Sequence, residues 1–184
     1  MLTPLTLGVV ANVDGAVFGD GRIEWDGDGV RSSGRVATRG MNLAAAFGPV
    51  EGLTTEIVFT DLLGLQTGPM QLATIASVNP GIPALNGQIS YRLLSNQEVA
   101  IEAGRWPFAG GELILEPTVL DFGVEKERRL TFRVIGADAE KFLAGYDFQN
   151  LRVTGIFDGT LPMKLPTMVA VPLRTLVFPA ASAM

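Results

Sequence analysis

Along most of the chain single apolar residues alternate with polar ones, the period of a strand with one face turned to water and one away from it. A recurring unit carries the pattern: a glycine, a polar or small residue, an apolar residue, a spacer, then a second apolar or ring residue. "GRIEW" sets Ile23 and Trp25 on one side, "GQISY" sets Ile89 and Tyr91, and "GELIL" sets Leu113 and Leu115. Arg22, Glu24, Gln88, Ser90 and Glu112 go to the other side. "GRVAT", residues 34–38, is a weaker copy, and the unequal gaps make this a degenerate repeat rather than a solenoid of fixed period. Branched and aromatic runs bounded by turn formers predict further strands at 56–60, 99–103, 130–135 and 152–157. "DFGVEKERRLTF" predicts a hairpin with the charged group 125–129 at its solvated tip.

Helical signal is scarce. "GADAEKFLAGYDF" offers Asp138 as an N-cap, residues 139–143 as helix formers and Gly145 as a stop, which is roughly two turns. "GMNLAAAFGPV" and "TDLLGLQTG" are each read as one short turn or helix ended by glycine. The reading is a mainly β protein with one or two short helices serving as lids or corners.

Composition narrows the uses of such a sheet. Among 184 residues 47% are hydrophobic and only 18% charged, against the roughly 25% charged of an average soluble domain. That surplus fits a large core, a subunit interface or a surface made for something apolar. The net charge of −5 is spread along the chain, with Arg22, Arg31, Arg35 and Arg39 interleaved among Asp14, Asp20, Glu24, Asp26 and Asp28. No basic stripe awaits a phosphate backbone, so nucleic acid is excluded as a partner. Between Asp61 and Arg92 the chain is uncharged, yet glycine, proline and asparagine punctuate it too heavily for a membrane helix. "MLTPLTLGVV" has no basic n-region and is read as neither a signal peptide nor an anchor.

Candidate chemistry is sparse. The chain has no histidine and no cysteine, which removes the usual proton shuttle, thiol nucleophiles and thiolate metal sites. The aspartates around "WDGDGV" lack the alternating ligands and closing glutamate of a calcium loop and read as a tight turn, so no metal is expected. Asp61, Asp121, Asp147 and Asp158 are not brought together by their spacing, and "AGGEL" lacks the residues of a phosphate loop or a serine elbow. The expectation is a protein that is not an enzyme and carries no cofactor.

The words of the sequence add a resemblance. "GRIEWDGDGV", "LAAAFGPVEGLTTEIVFTDLLGLQT", "NPGIPALNGQISYRLL", "IEAGRWPFAGGELILEPTVLDFG", "LTFRVIGADAEKFL" and "LRVTGIFDGTLPMKL" follow in order from about Gly19 to Leu165. Together they resemble the C-terminal region of the YdbH-like family, which carries the domain label "dicarboxylate transport" and belongs to the AsmA-like group of bacterial envelope proteins. The signature pieces are "WPFAGGEL", "FTDLLGL" and "TGIFDGTLP". The resemblance covers 1–165 as one β domain and leaves 166–184, with no acid after Asp158, as an atypical tail.

The resemblance implies a section of a longer protein of the Gram-negative periplasm, tethered to the inner membrane through sequence absent from this chain. It implies a curved, partly closed antiparallel sheet, groove or taco-like, carrying phospholipid between inner and outer membranes. On that reading Ile23, Trp25, Ile89, Tyr91, Leu113, Leu115 and Phe132 are the candidates for an apolar wall against acyl chains, although a filled core writes nearly the same pattern. Gly110 and Gly111 are expected to bend or bulge a strand, Trp106 and Phe108 to cover the bend, and Pro107 to interrupt pairing at an edge. Two rivals stand beside it: a structural β module that forms homodimers through sheet edges, and a dicarboxylate binder using Arg92, Arg105 and Arg133.

Overall fold

A computed structural model describes residues 10–45, 48–79, 83–123, 127–144 and 152–165. The alternating segments form β1 (Val10–Asp14), β2 (Val17–Asp26), β3 (Gly29–Ala45), β4 (Gly48–Asp61), β5 (Gln66–Thr67), β6 (Gln71–Val78) and β7 (Ala84–Leu93). They continue as β8 (Glu98–Phe108), β9 (Gly111–Leu115), β10 (Thr118–Asp121), β11 (Arg128–Asp138), helix α1 (Ala139–Ala144) and β12 (Ile156–Leu165). All strands join one antiparallel sheet that is not closed into a barrel, with the path β1-β3-β4-β6-β7-β8-β9-β11-β12.

The topology is a meander. β1 and β2 follow one another along the same side of β3, β5 and β6 both pair β4, and β9 and β10 both lie along β8. At about 4.8 Å per strand, the nine places of the path span roughly 38 Å. β2 pairs only β3 and β12 pairs only β11, so among the described residues the sheet has an open edge on each side.

Irregularities in the ladder sit at glycines other than the expected pair. β3 slips register against β4 between Thr38 and Leu43, and β11 slips against β12 between Val134 and Ala137. Gly40, Gly52 and Gly136 in these stretches have φ of 68°, 65° and 64°, a region open to glycine at little cost. Each bulge leaves an amide without a ladder partner, and a side chain from the neighbouring strand accepts it. Thr54 Oγ1 takes Gly40 N–H at 3.0 Å, Asn42 Oδ1 takes Gly52 N–H at 2.9 Å, and Asp158 Oδ1 takes Gly136 N–H at 2.7 Å. Asp158→Ala is therefore expected to cost about 1 kcal/mol in urea unfolding and to speed hydrogen exchange at the Gly136 amide. Unchanged exchange at that amide would show that the carboxylate is not its partner in solution.

The expected bend at Gly110 and Gly111 is instead a chain reversal. Ala109 and Gly110, with φ of 49° and 82°, are the two central residues of the β8–β9 hairpin, closed by the pair Phe108 and Gly111. Both positive angles mark a type I′ turn, whose twist matches that of paired strands. Pro107 lies beyond the end of the β7–β8 pairing, at Gln88 with Arg105. In this hairpin its missing N–H faces the β7 side, where pairing has ended.

Other expectations divide by residue. Asp138 caps α1 as read, its Oδ1 accepting Glu140 N–H at 2.9 Å and Lys141 N–H at 3.2 Å; Gly145 lies outside the described residues. "TDLLGLQTG" makes a turn after β4, whereas the described part of "GMNLAAAFGPV" is strand, because the Gly40 bulge and the Asn42 bond to Gly52 keep it in the sheet. β12 begins at Ile156 rather than at 152. In the β10–β11 connection, residues 124–126 lie outside the described set and Glu127 is exposed. Arg128 is not at a solvated tip: it is buried, its Nε donates to Asp121 O at 2.6 Å, and its guanidinium lies 4.9 Å from the Phe122 ring centroid.

The core forms one cluster from Val50 on β4 through Ile75, Trp106, Leu115 and Leu130 to Leu165 on β12. α1 joins it through Phe142, whose ring meets Phe108 at 5.8 Å and Phe157 at 5.6 Å between centroids.

Candidate functional site

Cross-strand register shows which side chains share a face. Directly opposite residues run Val17, Thr38, Thr55, Ala73, Ile89, Gly104, Leu115, Phe132 and Leu161, one row across the whole sheet. Opposite partners point to the same side, and so do residues two apart on a regular strand. Tyr91 and Leu113 stand two places from members of this row, and Ile23 and Trp25 lie on the same side of β2 as Val17. All seven apolar-wall candidates are thus on one face.

Their exposure differs. Leu113 and Leu115 are buried, Ile89, Tyr91 and Phe132 are half-buried, and Ile23 and Trp25 are 45% and 77% exposed. The first pair belongs to the packed core, while the other five keep surface open to the solvent. Tyr91 carries its hydroxyl to Thr55 Oγ1 at 2.9 Å, and burial pushes its pKa above the usual phenol value.

The reverse face carries the ion pairs, beside exposed apolar residues such as Phe18, Val58 and Leu72. Arg22 pairs Glu24, Arg35 pairs Glu56, and Arg105 pairs Glu112 at 2.6, 3.1 and 3.1 Å. Glu127 bridges Lys164 at 2.7 Å and Arg129 at 3.0 Å, and these two cations, Lys164 first, hold its carboxyl below the usual range. Exposed pairs of this kind add little stability but keep that side wet. Of the arginines proposed to clamp a carboxylate, Arg105 is engaged by Glu112 and Arg133 reaches Glu116 at 3.8 Å. Arg105 and Arg133 stand two strands apart, each opposite Ile114. No group of acidic, histidine or cysteine side chains among the described residues is placed to hold a metal. At "WDGDGV", Asp26 Oδ1 accepts Asp28 N–H at 2.9 Å in the tight turn that joins β2 to β3.

Trp106 and Phe108, expected to cover a bend, are buried on the apolar face. The Trp106 ring lies against two glycines. A Cβ added at Gly87 would stand 1.9 Å from Trp106 Nε1, and one added at Gly104 would stand 2.9 Å from its Cζ3. The ring packs against Phe132 at 6.1 Å between centroids. Gly111 does a separate task, its missing side chain making room for the Ile135 carbonyl at the β11 bulge, 2.2 Å from where a Cβ would be.

Sequence reasoning missed this glycine cradle, and it also missed Leu62. Gly21 and Gly34 are opposite one another, and Leu62 from the "FTDLLGL" turn fills the space, its Cδ2 2.6 Å from a Cβ built at Gly21. Asp61 holds that turn: its Oδ1 accepts from Ser32 Oγ at 2.6 Å and from Leu63 and Gly64 N–H at 3.1 Å each. The signal available in the sequence was glycine at apolar-parity positions of both strands, where packing rather than turn geometry demands it.

The Ser32 hydroxyl first, then the Gly64 amide, hold the Asp61 carboxyl below the usual carboxylate range. A folded pKa below the unfolded one gives stability that is present above about pH 4 and lost as pH falls through the folded value. Ser32→Ala is expected to raise the Asp61 titration midpoint followed by carboxyl NMR. A midpoint unmoved by the substitution would remove the hydroxyl as the cause.

The structure thus defines a mainly β protein built on one large open antiparallel sheet, with the seven apolar-wall candidates on one face and the ion pairs on the other. The YdbH-like family model, described as intermembrane phospholipid transport protein YdbH, matches residues 1–167. The chain belongs to the YdbH-like family, whose name carries intermembrane phospholipid transport. Neither the curated proteins nor the solved structures give a match. No helix of the described residues is long and apolar enough to cross a membrane.

Proposed function

We propose that this chain is a non-enzymatic section of a longer, inner-membrane-tethered periplasmic protein that carries phospholipid between the inner and outer membranes. Acyl tails lie on the face that bears Ile23, Trp25, Ile89, Tyr91 and Phe132, while headgroups stay near water at the open side. Residues 1–165 make the working β domain and 166–184 a tail of atypical sequence. The observation that carries this reading is the single face shared by apolar candidates from four strands, with the ion pairs on its back. Each methylene removed from water there contributes about 0.8 kcal/mol, so a tail of ordinary length is held without polar contacts.

The test is phospholipid content after native purification, measured by solvent extraction and mass spectrometry. Stoichiometric lipid that falls several-fold in Ile23→Asp/Trp25→Asp, with unchanged circular dichroism, is expected. Both substituted positions are exposed, so their loss tests binding rather than folding. Lipid-free protein that takes up none when offered vesicles would overturn the reading.

A second reading draws on the open edges: β2, with every residue exposed and only β3 beside it, offers an open outer edge through which two copies could join as a homodimer. Sedimentation of the purified chain at increasing concentration distinguishes the two.

A further inference from the structure

We propose that two copies of this chain pair antiparallel along β2 in one register, with Gly21 opposite the partner's Gly21 and Asp20 opposite the partner's Arg22. The inference deepens the second reading above and rests on it. β2 is ten residues long, all of them exposed, and it pairs β3 without a register shift. It has no proline, lysine or bulge, devices that commonly blunt an open edge. Its charges alternate in sign from Asp20 through Arg22 to Glu24, so they select a partner strand rather than repel every one.

Hairpin geometry says which backbone groups face outward. Only Gly27 and Asp28 separate the opposed residues Asp26 and Gly29, so those two form the hydrogen-bonded pair that closes the hairpin. Alternation then commits the backbone of Asp20, Arg22 and Glu24 to β3, while Val17, Gly19, Gly21, Ile23 and Trp25 turn their N–H and C=O outward. A two-fold axis through Gly21, perpendicular to the sheet, brings this row against its own copy. Val17 then lies opposite the partner's Trp25, and Gly19, with no side chain to compete, opposite the partner's Ile23. Such an axis keeps both apolar faces on the same side, so the partner continues the face that bears Ile23 and Trp25.

Charge fixes the register. Asp20 is opposite Arg35 within the chain, but Arg35 pairs Glu56 at 3.1 Å, which leaves Asp20 without an ion-pair partner among the described residues. Arg22 pairs Glu24 along its own strand, and its side chain is still 78% exposed. With Gly21 on the axis each Asp20 meets the partner's Arg22, an opposite-charge pair on both sides of the axis. Sliding the partner by two residues puts Asp20 against the partner's Asp20 in one direction and Arg22 against the partner's Arg22 in the other, and both are repulsive. One strand from each copy is a small contact beside the roughly 1,200–2,000 Å² of a stable interface, so the association is weak and is read at high protein concentration.

The chain has no cysteine, so single thiols report the register. Asp20→Cys and Arg22→Cys are purified separately and oxidised alone and as an equal mixture. The expected result is several-fold more disulfide-linked dimer in the mixture than in either variant alone, because directly opposite thiols are in reach while diagonal ones, about 7–8 Å apart, are not. Sedimentation gives a second readout without a crosslink: Asp20→Arg is expected to weaken association about tenfold, and Asp20→Arg/Arg22→Asp to restore it. Both positions are exposed, so neither variant tests folding. Linking as strong in one variant alone as in the mixture, or Asp20→Arg associating as tightly as its parent, overturns the register and leaves the homodimer reading standing. A chain that stays monomeric and links in no combination overturns both, and leaves the rim to a strand of other sequence.

Discussion

Gly87→Ala is expected to destabilise the protein by about 3 kcal/mol. The new methyl group would stand 1.9 Å from Trp106 Nε1 and 2.4 Å from Cδ1, inside any allowed contact. The ring cannot yield by sliding along the strands, since it already rests on Gly104 and packs against Phe132. It must leave its site, and a displaced indole opens a void among Leu113, Leu115 and Val134 that close packing does not refill. Urea unfolding of Gly87→Ala, Trp106→Ala and the double variant checks the mechanism. If the methyl acts by evicting the ring, the double variant is no less stable than Trp106→Ala alone, a strongly non-additive pair. Additive losses would show that Gly87 serves the strand and not the tryptophan.

Leu115→Asp is expected to cost about 4 kcal/mol at neutral pH. Leu115 is 4% exposed, with Gly104 opposite it on one side and Phe132 on the other, and no cation lies on that stretch of the row. An aspartate there is either an unpaired buried charge or a carboxyl forced to keep its proton. Burial raises its folded pKa above the unfolded value near 3.9, so the penalty is full above the raised pKa and shrinks as pH falls through it. Urea midpoints at pH 7 and pH 5 should therefore converge toward the parent at the lower pH. Ile23→Asp, on the same face but 45% exposed, is expected to change stability by no more than about 0.5 kcal/mol. A Leu115→Asp protein as stable as its parent would mean that the centre of the face is hydrated.

Much of this arrangement is legible in the sequence, because local rules govern it. Alternation alone puts Ile89 with Tyr91 and Leu113 with Leu115, and the meander of short connections then aligns these pairs on one side. The Asp138 cap and the "WDGDGV" turn are likewise decided within a few residues.

What escapes is whatever depends on partners far along the chain. Gly87 reads as the start of a strand, and only contact with a ring nineteen residues later in sequence shows why it has no side chain. The Ala109–Gly110 turn is hidden in the sequence because alanine at the first position replaces the usual asparagine–glycine or aspartate–glycine signal of such reversals. Burial is equally non-local: Leu115 and Trp25 occupy the same place in their repeat units, yet one lies in the middle of the sheet and the other on its rim.

The two rims of the sheet are not equivalent. On β12, Pro162 is opposite Thr131, whose carbonyl is engaged by Glu116 N–H on the other side. Pro162 therefore turns its backbone nitrogen outward, and that nitrogen has no hydrogen to give. The outer row of donors on β12 is broken near its middle. β2 has no proline in its ten residues, so its outer row is continuous. A strand approaching the sheet would therefore meet an unbroken row of donors along β2 and a row interrupted at Pro162 along β12, so the two rims differ as templates by a single imino acid.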